Sequence, residues 1–278
     1  PAETVSFIFP YYFGLQNFSV KNRSNPEKFM KQASYWGYMP FTQSTHYLGL
    51  LIIIFSFYSL WYYYKDKDRR KNELVLWIIA IVVLVTGFGS HFSLVYKPLF
   101  QFAPFFSKFR VPSMIYMLLS LIMPILAAIG LDRITSKKNK SNIFNDSLTI
   151  FGILISLSLF LLLFGESILS FSSSGDTRFT QYVDLIKNIR INLFNKGLML
   201  ALFISAGTLT SIWLYSEEKI SKHILSLILI SILIIDFWIV NNEFLSLKSS
   251  KSMANQFKES QEILFIKKDS SQFRIFPA

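Results

Sequence analysis

The run ILSLILISILIIDFWIV, Ile224–Val240, decides the fold class, because it contains a single charged side chain, Asp236. A helix in water needs a polar face, and this one has none. It suits a hydrocarbon layer of ~30 Å, which takes about 20 apolar residues to cross. Five more apolar blocks precede it: Tyr47–Tyr64, Leu74–Ser90, Val111–Leu131, Leu148–Phe164 and Gly197–Tyr215. The chain is therefore expected to be all-α: a polytopic membrane protein with about six transmembrane helices, outward interfacial helices and the start of an outer soluble domain. The corresponding divisions are an outward aromatic region over 1–46, six helices over 47–241, and the start of that outer domain over 242–278.

Composition agrees. The 278 residues are 52% hydrophobic and 17% aromatic but only 16% charged, with a mean hydropathy of +0.40, whereas a soluble domain has roughly a quarter of its residues charged. The net charge of +11 does not point to nucleic acid, since the cations lie in loops between apolar blocks and form no stripe. There is no cysteine, which excludes disulfides and thiolate metal sites. His46, His91 and His223 lie in separate segments, so no histidine metal cluster is expected, and no cofactor can be read from the residues.

The loops also give an orientation. Lys65, Lys67, Arg69, Arg70 and Lys71 follow the first block, Arg133, Lys137, Lys138 and Lys140 the third, and Lys219 and Lys222 the fifth. Short loops rich in Lys and Arg stay in the cytoplasm, so the other loops and both chain ends are expected outside. Trp61 to Tyr64, and Trp213 with Tyr215, stand beside basic loops, at headgroup level. Pro124 is expected to kink the third block, and Gly130 to mark a close helix contact.

The outward segments are unusually aromatic. Pro10-Tyr11-Tyr12-Phe13-Gly14 and Tyr35-Trp36-Gly37-Tyr38-Met39-Pro40 are too apolar for a free linker and are expected to lie against the membrane. Leu94–Phe109, broken by Pro98 and Pro104, reads as an interfacial or re-entrant element. Phe179–Phe194 has apolar residues at helical spacing around Lys187 and Arg190, the pattern of an amphipathic surface helix. The start at Pro1-Ala2-Glu3 and the strand-like end, Phe273 to Ala278, lead to the expectation that the chain is a piece of a longer protein.

Four cations, His91, Lys97, Lys108 and Arg110, fall in or beside one outward loop. Cations at a membrane surface can hold a lipid-linked phosphate and stabilise a departing one, and arginine does so with two parallel hydrogen bonds. Contact with ordinary lipid headgroups is the alternative. Asp236, costly inside an apolar block, either lines an outer cavity or makes a hydrogen bond that locks helices together. Glu166, Asp176 and Asp184 read as solvated loop carboxylates.

The stretch Tyr35-Trp36-Gly37-Tyr38-Met39-Pro40-Phe41-Thr42 with Tyr47-Leu48-Gly49 resembles the bacterial YfhO-like membrane proteins. Phe109-Arg110-Val111-Pro112-Ser113, running on to Gly130-Leu131-Asp132-Arg133, and Asp236-Phe237-Trp238 resemble the same family, in the same order. The resemblance implies a protein of the GT-C glycosyltransferase type in a bacterial cell membrane. Such a protein takes a sugar from a polyprenyl-phosphate donor on the outer face for cell-envelope polymer modification. Arg110, His91 and Lys97 would then lie near the donor phosphate, with the catalytic carboxylate in an earlier outward loop beyond this chain. The alternative is a non-catalytic transporter or scaffold for envelope lipids.

Overall fold

The structure, a computed structural model, describes residues 1–15, 29–31, 33–37, 46–65, 71–108, 111–136, 140–244, 259 and 261–266. The chain divides into two units, Pro1–Val240 and Asn241–Ala278. Among the described residues there are helices and no strands. The α-helices are α1 Leu50–Lys65, α2 Lys71–Gly87, α3 Ser93–Phe102, α4 Leu119–Ser136, α5 Lys140–Ile168, α6 Val183–Ser216, α7 Lys222–Phe244 and α8 Gln261–Ile266. Shorter 3-10 turns run over Ala2–Phe7, Gly89–Phe92, Phe106–Lys108, Pro112–Leu118 and Ser174–Tyr182. The second unit contributes the last turn of α7 and α8, and the strand-like run Phe273–Ala278 lies outside the described residues.

Four helical stretches are long and apolar enough to cross a membrane: Pro112–Ser136, Ile143–Ile168, Thr180–Ser216 and Lys222–Glu243. A fifth appears if Asn72–Gly87 and Gly89–Phe102, bent by 116° at Phe88, count as one span. The first expected block forms α1, whose 16 residues rise about 24 Å, short of the hydrocarbon thickness. Lys65 ends it on one side. On the other, Gly49 turns the chain in at φ +88, where a Cβ would meet the Phe237 ring at 2.8 Å.

Polar contacts show which helix ends lie together. Lys65 Nζ and Asp146 Oδ1 are 2.7 Å apart, joining the end of α1 to the start of α5. Arg133 Nη2 and Glu73 Oε1, also 2.7 Å apart, join the end of α4 to the start of α2, and Tyr215 Oη donates to the Thr135 carbonyl, bringing the end of α6 to the end of α4. The basic loops therefore share one end of the bundle.

Inside, α1 packs chiefly along α4, and α6 along α5. The α1–α4 crossing is close because Gly130 lies against the Phe55 carbonyl and the Ser59 amide. Ser56 Oγ reaches the Met123 carbonyl at 2.7 Å, and Trp77 Nε1 donates to Ser59 Oγ at 3.0 Å, drawing α2 to the same seam. On α2, Glu73, Trp77, Ala80 and Val83 are buried while Val75, Ile78, Ile81 and Val82 are exposed. A large apolar face turned outward is unstable in water and suited to lipid.

Two expectations change. Phe179–Phe194 and Gly197–Tyr215 are not separate elements: from Val183 to Ser216 they form one 34-residue helix, because no Gly or Pro pair interrupts it and one buried stripe continues along it. Most of the N-terminal aromatics through Phe13 also turn into the protein, while Tyr38-Met39-Pro40 lies outside the described residues. Phe7, Phe9, Tyr11, Phe13 and Leu15 are all buried in the protein.

Gly130→Val should lower the thermal unfolding temperature of the detergent-purified protein, consistent with an overpacking penalty of about 1–3 kcal/mol. Gly152→Val, placed where a Cβ meets nothing within 4 Å, should leave that temperature unchanged.

Candidate functional site at the end opposite the basic loops

This end is organised by a buried arginine. Arg190 lies near the start of α6 on the face carrying Ile186, Ile189, Leu193 and Phe194, and is only 2% exposed. Its guanidinium grips Asp176 with two parallel bonds, Nη1 to Oδ2 and Nη2 to Oδ1, each 2.7 Å. Nε donates to the Ser34 carbonyl and Nη1 to the Phe171 carbonyl, both at 2.8 Å. Asp176 is preset for this by a capping box, in which Ser173 N–H donates to Asp176 Oδ2 at 2.8 Å. Burial opposes the charge on Asp176, but the bonds from Arg190 and Ser173 outweigh it and hold its pKa below the usual carboxylate range. Asp176, expected as a solvated loop carboxylate, is thus bound and mostly buried. Arg190, expected on a surface helix, is interior.

Around this grip the aromatic segments close a cap. Trp36 stacks on Tyr12 with ring centroids 5.9 Å apart, donates from Nε1 to the Tyr12 carbonyl at 3.1 Å, and tilts against Phe171. Tyr35 and Trp36 amides donate to the Leu15 and Phe13 carbonyls, and Tyr35 Oη donates to Glu3 Oε1 at 2.6 Å.

Asp236 is fully buried. Tyr47 Oη donates to its two oxygens at 2.7 and 2.8 Å, and the Leu50 N–H to Oδ2 at 3.2 Å. The carboxylate therefore accepts from the first turn of α1 and ties it to α7, the helix-locking role; it satisfies an amide that a helix start leaves without an intrahelical partner.

The other sequence candidates lie on the bent segment. Gly87 packs on the Tyr116 ring, and Gly89, at φ +57, sits against Pro112. Beyond the bend α3 buries no residue: Leu94 and Phe102 are 82% and 83% exposed. Tyr96 stacks on Phe100, and Lys108 lies over the Phe105 ring at 5.4 Å. His91 and Lys97 are exposed here, while Arg110 and Phe109 lie outside the described residues. The structure thus puts His91 and Lys97 on one projecting segment, with Asp236 committed elsewhere.

Sequence reasoning passed over His46. Its ring makes edge contacts with Phe7 at 6.4 Å and Tyr116 at 5.4 Å, and its Nε2 is buried without a hydrogen-bond partner. Burial lowers its pKa, which favours the neutral ring. Phe7 also lines an apolar cavity of about 240 Å³ with Ile8, Leu48, Trp77, Leu119 and Met123. No sequence spacing links His46 to Tyr116.

Long apolar helices, lipid-facing surfaces and basic loops at one end define a helical multi-pass membrane protein. No family model, curated protein or solved structure matches the chain.

Two predictions follow from the cap and the lock. Asp176→Asn should destabilise the protein at pH 7 by about 3 kcal/mol, since it leaves a buried guanidinium without its counter-charge. Because the folded pKa of Asp176 is depressed, its contribution is complete above the unfolded value of about 4 and disappears as pH falls through the folded value. Unfolding curves of wild type and variant should therefore converge in strong acid. At the lock, Asp236→Asn keeps an acceptor for Leu50 N–H and should unfold near wild type, whereas Asp236→Leu should cost about 1–2 kcal/mol in the same assay.

Proposed function

We propose that the chain belongs to a bacterial membrane glycosyltransferase-like protein of the YfhO-like, GT-C kind, using a polyprenyl-phosphate-linked sugar to modify a cell-envelope polymer. In this reading the basic loops are cytoplasmic, the capped end faces outward, and α1 counts as a sixth, internal span. The observation that carries the proposal is the segment Gly89–Phe102, turned 116° from α2, with aromatic rings exposed and with His91 and Lys97 exposed on it. An amphipathic element in that attitude suits the headgroup layer. Cations held there meet a phosphate where its negative charge grows as the sugar leaves.

His91, Lys97 and Arg110 would hold the donor phosphate, with Arg110 the residue best able to bind it in a bidentate manner. Alanine at Arg110 in the full-length protein should reduce sugar transfer from a polyprenyl-phosphate donor roughly 100-fold, the scale of losing one oxyanion donor. Lys97→Ala should reduce it less. Undiminished transfer by Arg110→Ala at normal expression would remove the assignment.

One observation favours a second reading, a non-catalytic protein that moves or scaffolds envelope lipids. Glu73, Asp146, Asp176 and Asp236 are each held by a structural partner, so these acids serve packing. Full-length protein that binds the lipid-linked donor without turning it over would decide for this reading.

A further inference from the structure

A second apolar space, of about 340 Å³, lies between α1, α4 and α7, lined by Ile52, Pro124, Ala128, Leu131, Ile230 and Leu233 among others. It exists because α4 presents small or ring-closed side chains here, while α7 is tied to α1 toward its far end, where Asp236 accepts from Leu50 and Phe237 meets Gly49. Its volume is within the roughly 300–1,000 Å³ of small-molecule sites.

The position within the membrane selects the occupant. Lys222 to Leu233 spans eleven residues of rise, about 16 Å, close to half of a ~30 Å hydrocarbon layer. The groove is shut beyond that point by the Asp236 lock and runs toward the basic end, so it suits one chain of a lipid in the leaflet on that side. The mouth selects the headgroup. One helical turn from Ser226 toward that end stands Lys222, and one turn from Ala128 stands Asp132; both are exposed, and neighbours at i and i+4 share a helix face. Among the described residues, the Asp132 carboxylate accepts from Ser136 Oγ, at 3.4 Å. Elsewhere in the α6–α7 turn, Lys219 lies over the Trp213 ring at 4.3 Å, and Glu217 and Glu218 precede it. A cation on one wall and a carboxylate on the other complement a phosphate with a primary ammonium beyond it.

We propose that this groove is a site for a zwitterionic aminophospholipid, phosphatidylethanolamine in chemical class, with an acyl chain along α4 and α7, its phosphate at Lys222 and its ammonium at Asp132. The site is independent of sugar transfer and lies at the opposite end of the bundle from the proposed donor site.

The test uses the full-length protein in detergent, exchanged into mixed micelles holding equal phosphatidylethanolamine, phosphatidylcholine and phosphatidylglycerol, with bound lipid counted by native mass spectrometry. Wild type should retain phosphatidylethanolamine preferentially. Ala128→Phe, which puts a ring into the groove from an exposed position, should lower retention about tenfold, as loss of roughly ten close atom pairs would. Ile125→Phe, on α4 but not among the groove-lining residues, should retain lipid normally and controls for folding. Asp132→Asn should abolish the preference for phosphatidylethanolamine over the other two headgroups while keeping a chain bound. Equal retention of all three lipids by wild type, preference for phosphatidylglycerol, unchanged retention by Ala128→Phe, or a dimer that excludes lipid would each overturn the proposal.

Discussion

A guanidinium taken out of water must have its donors satisfied, and much of the capped end follows from how Arg190 meets that requirement. The acceptors are the Ser34 and Tyr35 carbonyls, the Phe171 carbonyl and the Asp176 carboxylate. Ser34 in turn receives the Leu15 N–H on its hydroxyl, and Gly14, at φ +75, packs on its backbone. The N-terminal stretch is thereby set against α6, and Phe7 is carried over α1, α2 and α4. The surroundings of His46 thus depend on a charge that belongs to α6.

The rest of the bundle is held by different means. Between helices in lipid there is little hydrophobic drive, so contact must come from close packing and polar bonds. Gly130 lets two backbones touch, Ser56 bonds across that seam to Met123, Ser59 accepts from Trp77 of α2, and the pairs Glu73–Arg133 and Lys65–Asp146 fasten helix ends at the basic side. The outer faces of α5 and α7, with Ile153, Leu163, Leu227 and Trp238 strongly exposed, are left to the hydrocarbon.

Features governed by local chemistry could be read from the sequence. The uninterrupted apolar runs gave helices, Gly130 was recognisable as a contact point, and the cost of a carboxylate in hydrocarbon marked Asp236 as facing either an outer cavity or a hydrogen-bond partner on another helix. Features set by distant partners could not. Arg190 looked like any outward cation because Ser34 and Phe171 are far from it in sequence. Asp176 carried one local sign, the Ser173 to Asp176 capping box, which fixes its geometry but does not name its partner. The continuity of α6 was hidden because its polar first turns resemble a surface helix when read without the cap that buries them. His91 and Lys97 were legible as exposed cations, but their grouping on a bent element depends on the break at Phe88.

The brevity of α1 has a consequence for how the protein responds to its surroundings. Ten of its sixteen residues are buried, so it meets protein far more than lipid, and its length need not match that of the bilayer. Bilayers differ by several ångströms between compartments and with composition, and an exposed helix answers such changes by tilting. Here that tilt would fall first on α5 and α7, whose faces carry the lipid contact. Since α1 meets α4 backbone to backbone at the Gly130 seam, the α1–α4 pair should be insulated from bilayer thickness.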